Sequence, residues 1–483
     1  MKNCARYLVG VIRLAIVLGL VGIVAPQCAA AQGADSFGPA TLIRTAQGKD
    51  VFTETFTLSD PSGPFTLEIH NGTQDGSERI RKGWITLNGQ QIAGPTVVGA
   101  ANYSLIAAIH PQQQNQLVIK AKGGPAGTPI TVYVHPTSST VLNQPGGPGF
   151  DAAEAGLGVP YGVAVNSDTH QAYVADRYYG SVFQFDINSA SIVRQFSATI
   201  SGTPLGSGGT TGIRFDPNLG KLAAINEGVN SGDQGSLAVI DLNAESVNVF
   251  PLMYSGQTIH AEFVAIDSKD NLAACVALYN GGHYAYLVNL STGALSQIQS
   301  SSSLTSPVFS AVSGQFIFSA QDSSGGPGLL LAGTKAQFKL SGSIKSSAPL
   351  GTYFQKMAIN AATNVVVAVD QQDSAAYVFD LATNKQTARI PITTGGSAFG
   401  AADIAINPKT NMAVITSHFS NLVTVINLQT MLVTLEIPLP PSATPLGVDI
   451  DTVLNRAVVS EDSISSNTRN GSVFVLQLPD ASN

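Results

Sequence analysis

The side chains of this chain best suited to chemistry recur with a repeat of about 48 residues. Tyr161, Thr211, Glu262, Lys356 and Asp403 stand at the entrances of apolar runs, and Asp176, Asn226, Glu227, Asp370, His418, Glu461 and Asp462 close the runs that follow. Carboxylates and amides gathered in a ring could hold Ca²⁺, which takes about six to eight oxygen ligands. His260 lies two residues from Glu262 and, with His418, could supply a zinc site or an acid–base pair. The histidines at 70, 110, 135, 170, 260, 283 and 418 show no His-x₃-His spacing, so solvated loop histidines are the plainer expectation. Lys356 and Asp403 are expected to form a structural salt bridge. Asp449 and Asp451 alternate with Val448 and Ile450, the mark of a strand's polar face. Asp322 heads Ser-Ser-Gly-Gly-Pro, a turn without a phosphate-loop context, and no Gly-x-Ser-x-Gly, Gly-x-Gly-x-x-Gly or Cys-x-x-Cys motif occurs. Because strand ends meet water in any repeat fold, a structural account is preferred for most of this set.

The elements that must position these residues are short strands. From Tyr161 the unit reads Tyr161-Gly-Val-Ala-Val-Asn, Ala172-Tyr-Val-Ala-Asp176, Ser181-Val-Phe-Gln-Phe-Asp-Ile187 and Ser191-Ile-Val-Arg-Gln-Phe196, separated by polar turns. The third strand returns as Leu237-Ala-Val-Ile-Asp, Tyr284-Ala-Tyr-Leu-Val-Asn, Ala376-Tyr-Val-Phe-Asp, Leu422-Val-Thr-Val-Ile-Asn and Val473-Phe-Val-Leu-Gln, with a polar marker at Asp186, Asp241, Asn289, Asp380, Asn427 and Gln477. One double-length interval holds a degenerate unit around Phe316-Ile-Phe-Ser-Ala320 and Gly328-Leu-Leu-Leu331. Seven units of four strands predict a seven-bladed β-propeller, with a solenoid as the rival. The last unit offers only Gly447-Val-Asp-Ile, Ala457-Val-Val-Ser and Val473–Leu478, so a closing strand is expected near Thr140-Val141-Leu142. In an antiparallel meander the start of strand one and the end of strand two share a face. The candidate residues should therefore ring one mouth of a central channel.

Val378-Phe-Asp-Leu-Ala-Thr-Asn-Lys-Gln-Thr-Ala-Arg-Ile-Pro-Ile392 and Val425-Ile-Asn-Leu-Gln-Thr-Met-Leu-Val-Thr-Leu-Glu-Ile437 resemble the YVTN repeat, and Ala172-Tyr-Val-Ala-Asp176 resembles both it and NHL repeats. The resemblance spans residues 161 to 478. It implies a propeller of an exported or surface protein, with no particular ligand. The unit at 306–342 departs from it, lacking the Asp-Leu-x-Thr step. Gluconolactonase-type propellers use a channel metal to polarise a lactone carbonyl. Trp84 is the only tryptophan, so the tryptophan-docking motif of quinoprotein propellers is missing.

Ahead of the repeat, Phe65, Leu67 and Ile69 alternate with Thr66, Glu68 and His70, and Ile130, Val132 and Val134 alternate with Thr131, Tyr133 and His135. Further strands are expected at Val51–Leu58, Trp84–Asn88, Ser104–Ile109 and Gln116–Ala121, with tight turns at Asn71-Gly72 and Asn88-Gly89. This predicts a β-sandwich over 40–137, then a Pro/Gly linker at 138–149 holding the closing strand, then the propeller over 150–483. The stretch from Phe65 to Gly72 and Trp84 to Gly89 resembles a β-sandwich module of secreted bacterial proteins, which implies an accessory or adhesive role.

The ends and the composition bound the setting. Lys2, Arg6 and Arg13, the apolar run Leu14 to Ala25 and Ala29-Ala30-Ala31 form a signal peptide over residues 1–31, too short to span a membrane. Cleavage after Ala31 removes three cations and takes the net charge from −7 to −10. Cys4 and Cys28 leave with the leader, so Cys275 is alone and is expected as a buried thiol rather than a nucleophile. With 11% charged and 44% hydrophobic residues the chain is neither disordered nor basic, which argues against a nucleic-acid partner. The expected protein is secreted or periplasmic, part of a bacterial envelope, and non-catalytic. Its expected partner is a peptide, glycan or small molecule, with no cofactor. The alternative is a lactonase-like or lyase-like propeller using Glu262, Asn226 and Asp403 around Ca²⁺ or Zn²⁺.

Overall fold

The computed structural model describes residues 36–479 apart from 46–47, 64, 74, 96–97, 101, 138–157, 178–179, 198–208, 228–234, 255–256, 260, 278–283, 301, 322–326, 333–339, 350–353, 371–372, 394–400, 441–442 and 462–470. The leader, the closing strand near Thr140, His260 and Asp322 thus lie outside the described residues. Among those described there is no helix, so none is long and apolar enough to cross a membrane.

Eight N-terminal strands form two antiparallel sheets. One orders β1 (Phe37–Ile43), β8 (Pro129–Pro136), β3 (Phe65–Asn71) and β6 (Ser104–Ile109); the other orders β2 (Lys49–Thr57), β7 (Gln114–Lys122), β4 (Lys82–Leu87) and β5 (Gln90–Ala93). Alternate residues of both sheets, Leu67, Ile69, Val132, Ile119 and Ile85 among them, fill one core. β1 begins at Phe37, ahead of the residue 40 at which the first domain is expected to start. β1 carries Gly38-Pro39, which reads as a turn, but on an edge strand a missing N–H costs no ladder bond. Asn88-Gly89 is the expected tight turn, both residues at positive φ, between β4 and β5. Asn71-Gly72 is not a hairpin, because β3 and β4 belong to different sheets. Instead the Asn71 amide is buried, accepts from Ile80 N at 2.9 Å and donates to Gly99 O at 2.9 Å, organising the crossing.

From Pro160 onward the described strands form six four-stranded sheets and one three-stranded sheet, in chain order, with a two-stranded ribbon of Met253–Tyr254 and Gln257–Thr258 between the second and third. Their inner strands are Pro160–Asn166, Thr210–Asp216, Ala261–Asp267, Ser303–Ser310, Phe354–Asn360, Ala401–Asn407 and Pro445–Asp451. Each inner strand packs beside the next, and the last packs beside the first, so the series is closed. An apolar cluster fills every junction. That between sheets seven and one joins Val458, Val473 and Val475 to Val163, Val174 and Phe183, and those between the other neighbours follow the same plan. Burial on both faces explains why these strands read as continuous apolar runs instead of alternating ones. The sheet at 303–345 forms although it lacks the Asp-Leu-x-Thr step, because Phe316, Phe318, Ile317 and Leu329 still fill the junctions on both sides.

The turns are set locally. A side-chain oxygen at a strand's last residue accepts the N–H groups two and three residues on, and the residue four on adopts positive φ. Asp241, Asn289, Asp380 and Asn427 do this after third strands, ahead of Glu245, Gly293, Asn384 and Met431. Gln477, with no fourth strand after it among the described residues, instead donates to Asn455 O at 3.2 Å. Between sheets, second-strand hydroxyls act as staples. Thr416 Oγ1 accepts from Asp403 N at 3.0 Å and donates to Leu446 O at 2.6 Å in the next sheet. Ser319 bonds in the same way to Phe354 O at 3.0 Å, and Ser460 to Tyr161 O across the closure. Cys275 is buried at the junction of sheets two and three, where burial pushes its thiol pKa up to about 12 and leaves it un-ionised.

Candidate functional site

The inner strands bring part of the expected set together at one mouth. Tyr161 Oη donates to Glu262 Oε1 at 2.7 Å, and Arg177 lies 5.6 Å over the Tyr161 ring while donating to Glu227 Oε2 at 3.1 Å. Burial, and then the Glu262 charge, hold the Tyr161 phenol well above its ordinary pKa. One residue deeper, Gly162, Gly212 and Gly447 line three strands; a Cβ on any of them would come within 2.2 Å of a carbonyl oxygen on the neighbouring inner strand. The matching positions elsewhere carry Phe263, Ser306, Lys356 and Asp403. Lys356 Nζ sits 3.8 Å from Asp403 Oδ1 and 4.1 Å above the Phe263 ring. Burial lowers the Lys356 pKa, with Asp403 and Glu262 opposing that shift. Asp403 also accepts from the backbone N–H of Ile404 at 2.9 Å and of Val448 at 3.2 Å.

Asp176, Asp370 and Asn226 act as braces. Asp176 accepts from Gly158 N at 2.7 Å, and Asp370 from Asp373 N at 2.9 Å. Asn226 links Thr210 Oγ1 at 2.7 Å to Ser236 Oγ at 2.8 Å. Glu461 is buried at the end of its strand, opposite Ser472. His418 packs 4.3 Å from the Phe419 ring with Nε2 buried and unbonded, and burial lowers its pKa.

A cavity of about 400 Å³ opens toward the opposite mouth, at the turns that follow the inner strands. Its polar walls include Arg214 and Asp449, residues absent from the expected ring. At the register of Arg214 five of the other inner strands carry Ala164, Ala265, Val308, Ala358 and Ala405, small side chains that leave space, and the sixth carries Asp449. Asp449 holds two backbone N–H groups, Val165 at 2.8 Å and Ile450 at 2.9 Å. Burial pushes its carboxyl up to about 6, against the pull of Arg214 and these two bonds.

The structure of U3-55K superposes on this chain with a TM-score of 0.52 at 9% identity, covering 66% of this chain and 96% of its own. The Pan2 WD40 domain of Neurospora crassa aligns at 10% identity over 71% of this chain and 96% of its own, with a TM-score of 0.49. The chain carries a β-propeller fold. No family model and no curated protein matches it.

Along the propeller's axis, then, one mouth is tied by Tyr161, Glu262, Arg177 and Glu227, the middle by Lys356 and Asp403, and the far end holds open space. Glu262, Asn226 and Asp403 are each engaged by protein partners, and among the described residues no three His, Cys, Asp or Glu side chains group for a metal. The histidines are not simply solvated loop residues. His70 and His135 meet Glu68 on one strand face at 2.7 and 3.9 Å, His170 meets Asp451 at 2.8 Å, and His110 meets Glu436 at 3.1 Å. Strand pleating and a cross-strand neighbour create the Glu68 pairs, while His110 and His170 lie outside the strands and meet carboxylates far away in sequence. Arg177 and Arg214 were missed because neither sits in a local motif; only alignment of the repeats against one another exposes Arg214 as the one cation at a position otherwise held by Ala, Val or Asp449.

Asp449 should give the fold a pH dependence of known sign. A carboxyl raised to about 6 stabilises the fold fully below its unfolded value near pH 4 and loses that contribution as pH rises through 6. Relative to Asp449→Asn, the wild type should therefore lose about 1–2 kcal/mol between pH 4 and pH 8, less than the roughly 3 kcal/mol of a dry site because the side chain faces the cavity. Urea unfolding at the two pH values measures it; a difference that stays constant would contradict the assignment.

Proposed function

We propose that this chain is an exported, non-catalytic protein of a bacterial envelope, in which a β-sandwich precedes a seven-bladed propeller whose channel binds a small molecule. The reading of seven blades rests on the closed series of inner strands and its apolar junctions. Export rests on the leader at 1–31, and the kinship with YVTN-type propellers on the repeats at 378–392 and 425–437. The observation that carries the binding role is the cavity walled by Arg214 and Asp449, a concave space whose lining mixes these polar groups with apolar side chains. The lactonase-like alternative needs Glu262, Asn226 and Asp403 to share a metal, and their present partners oppose that.

The test uses the exported protein, whose N-terminus should be Gln32. After chelation it should keep its melting temperature, hydrolyse no lactone or ester with Ca²⁺ or Zn²⁺ restored, and gain thermal stability from members of a small-metabolite library. Metal-dependent hydrolysis, or a library without a single stabilising compound, would overturn the reading.

A further inference from the structure

Arg214 and Asp449 face the same cavity without meeting. Arg214 donates to Ile213 O at 3.0 Å and has no ion pair among the described residues, which leaves most of its guanidinium donors unused. Asp449 feels the Arg214 charge, yet its hydrogen bonds run only to backbone N–H groups. Asp216, beside the same cavity and 1% exposed, accepts at Oδ1 from Asn218 N and Leu219 N, and its Oδ2 is buried out of reach of the open space. The cavity therefore presents a cation with spare donors, the Asp449 carboxyl with spare acceptor capacity, and the apolar side chains of Ala265, Val308, Ala358 and Ala405.

We infer that this far mouth is the propeller's ligand site and that it takes a small zwitterion of the α-amino acid kind. The guanidinium of Arg214 holds the ligand carboxylate in a two-pronged hydrogen bond. The carboxylate of Asp449 holds its ammonium group, and an aliphatic side chain fills the space left by the alanines. A lone anion would leave Asp449 uncompensated; a lone cation would stand near Arg214 without an anion to offset it. Only a ligand carrying both charges answers both walls. This inference rests on the small-molecule binding role and narrows it to one end of the channel.

Calorimetric titration of residues 32–483 with the common amino acids decides it, using L-leucine, 4-methylpentanoate and 3-methylbutylamine as the matched trio. L-Leucine, or another aliphatic amino acid, should bind, and the two half-ligands should bind at least tenfold more weakly. Arg214→Gln and Asp449→Asn should each weaken binding at least tenfold. Ala358→Leu, which fills the cavity and leaves the charges in place, should abolish binding while the melting temperature stays near that of the wild type. If no amino acid binds, or if binding ignores all three variants, the inference fails. Stabilisation by library compounds that survives Ala358→Leu would overturn this site alone and leave the channel-binding role standing.

Discussion

Lys356→Met should destabilise the propeller by about 3–5 kcal/mol, the usual consequence of removing one partner from a buried ion pair. Asp403, 2% exposed, would keep its charge with only the Ile404 and Val448 amides to balance it. Methionine retains the packing over Phe263, so the loss reports charge and not volume. Adding Asp403→Asn removes the stranded charge and should restore roughly half of the loss, though not all, since an amide oxygen replaces only one of two carboxylate acceptors. Urea midpoints of the two single variants and the double variant measure the coupling. A Lys356→Met protein within about 0.5 kcal/mol of the wild type would mean that the two amides alone satisfy Asp403.

Arg44→Met should cost the N-terminal pair of sheets a similar 3–5 kcal/mol, and there the thermal effect is larger. The Arg44 side chain is fully buried. Its guanidinium donates to Asp50 Oδ2 at 2.9 Å, to Gly48 O at 2.9 Å, and to the carbonyls of Gly123 and Gly124. Loss of that head group strands a carboxylate and three carbonyls at once. For a unit of about 100 residues each kcal/mol moves the melting temperature by about 4–8 °C, so a shift above roughly 10 °C is expected. Arg44→Lys should recover little, because an ammonium cannot span all four acceptors. The pH response follows from Asp50, whose carboxyl is held below its ordinary value first by the Arg44 hydrogen bond. A depressed carboxylate stabilises above its unfolded pKa, near pH 4, and loses that contribution as pH falls through the folded value. The Arg44→Met protein should therefore show a flatter acid limb than the wild type. Calorimetric scans at pH 7 and along that limb check both points; an unchanged low-temperature transition would refute the first.

The elements legible in the sequence were those fixed by neighbours. The polar markers Asp186, Asp241, Asn289, Asp380 and Asn427 are visible because each turn needs an oxygen at its first position and a left-handed residue four later, a requirement contained in about five residues. Asn88-Gly89 is legible for the same reason. β1 was not, because Gly38-Pro39 is a turn signal unless the strand lies at an edge, and edge position is a property of the assembled sheet. The sheet at 303–345 shows the converse: its local motif is gone, yet burial between two neighbours keeps it in the series.

For the site the division is sharper. Strand order alone put Tyr161, Glu262, Lys356 and Asp403 on the inner strands, since an antiparallel meander fixes which ends share a face. What those residues do was decided in three dimensions, where closure of the ring sets carboxylates beside Tyr161 and Lys356 and turns them into internal ties. Asp449 read as the polar side of a strand, and only the ring makes that side a cavity wall opposite Arg214, from a strand more than two hundred residues away. The sequence by itself thus determined the repeat, its turns and the apolar faces, because those follow from periods and short-range hydrogen bonds. Tertiary structure decided which polar groups are paired and which are left facing open space, because that depends on distances between strands that no local pattern encodes.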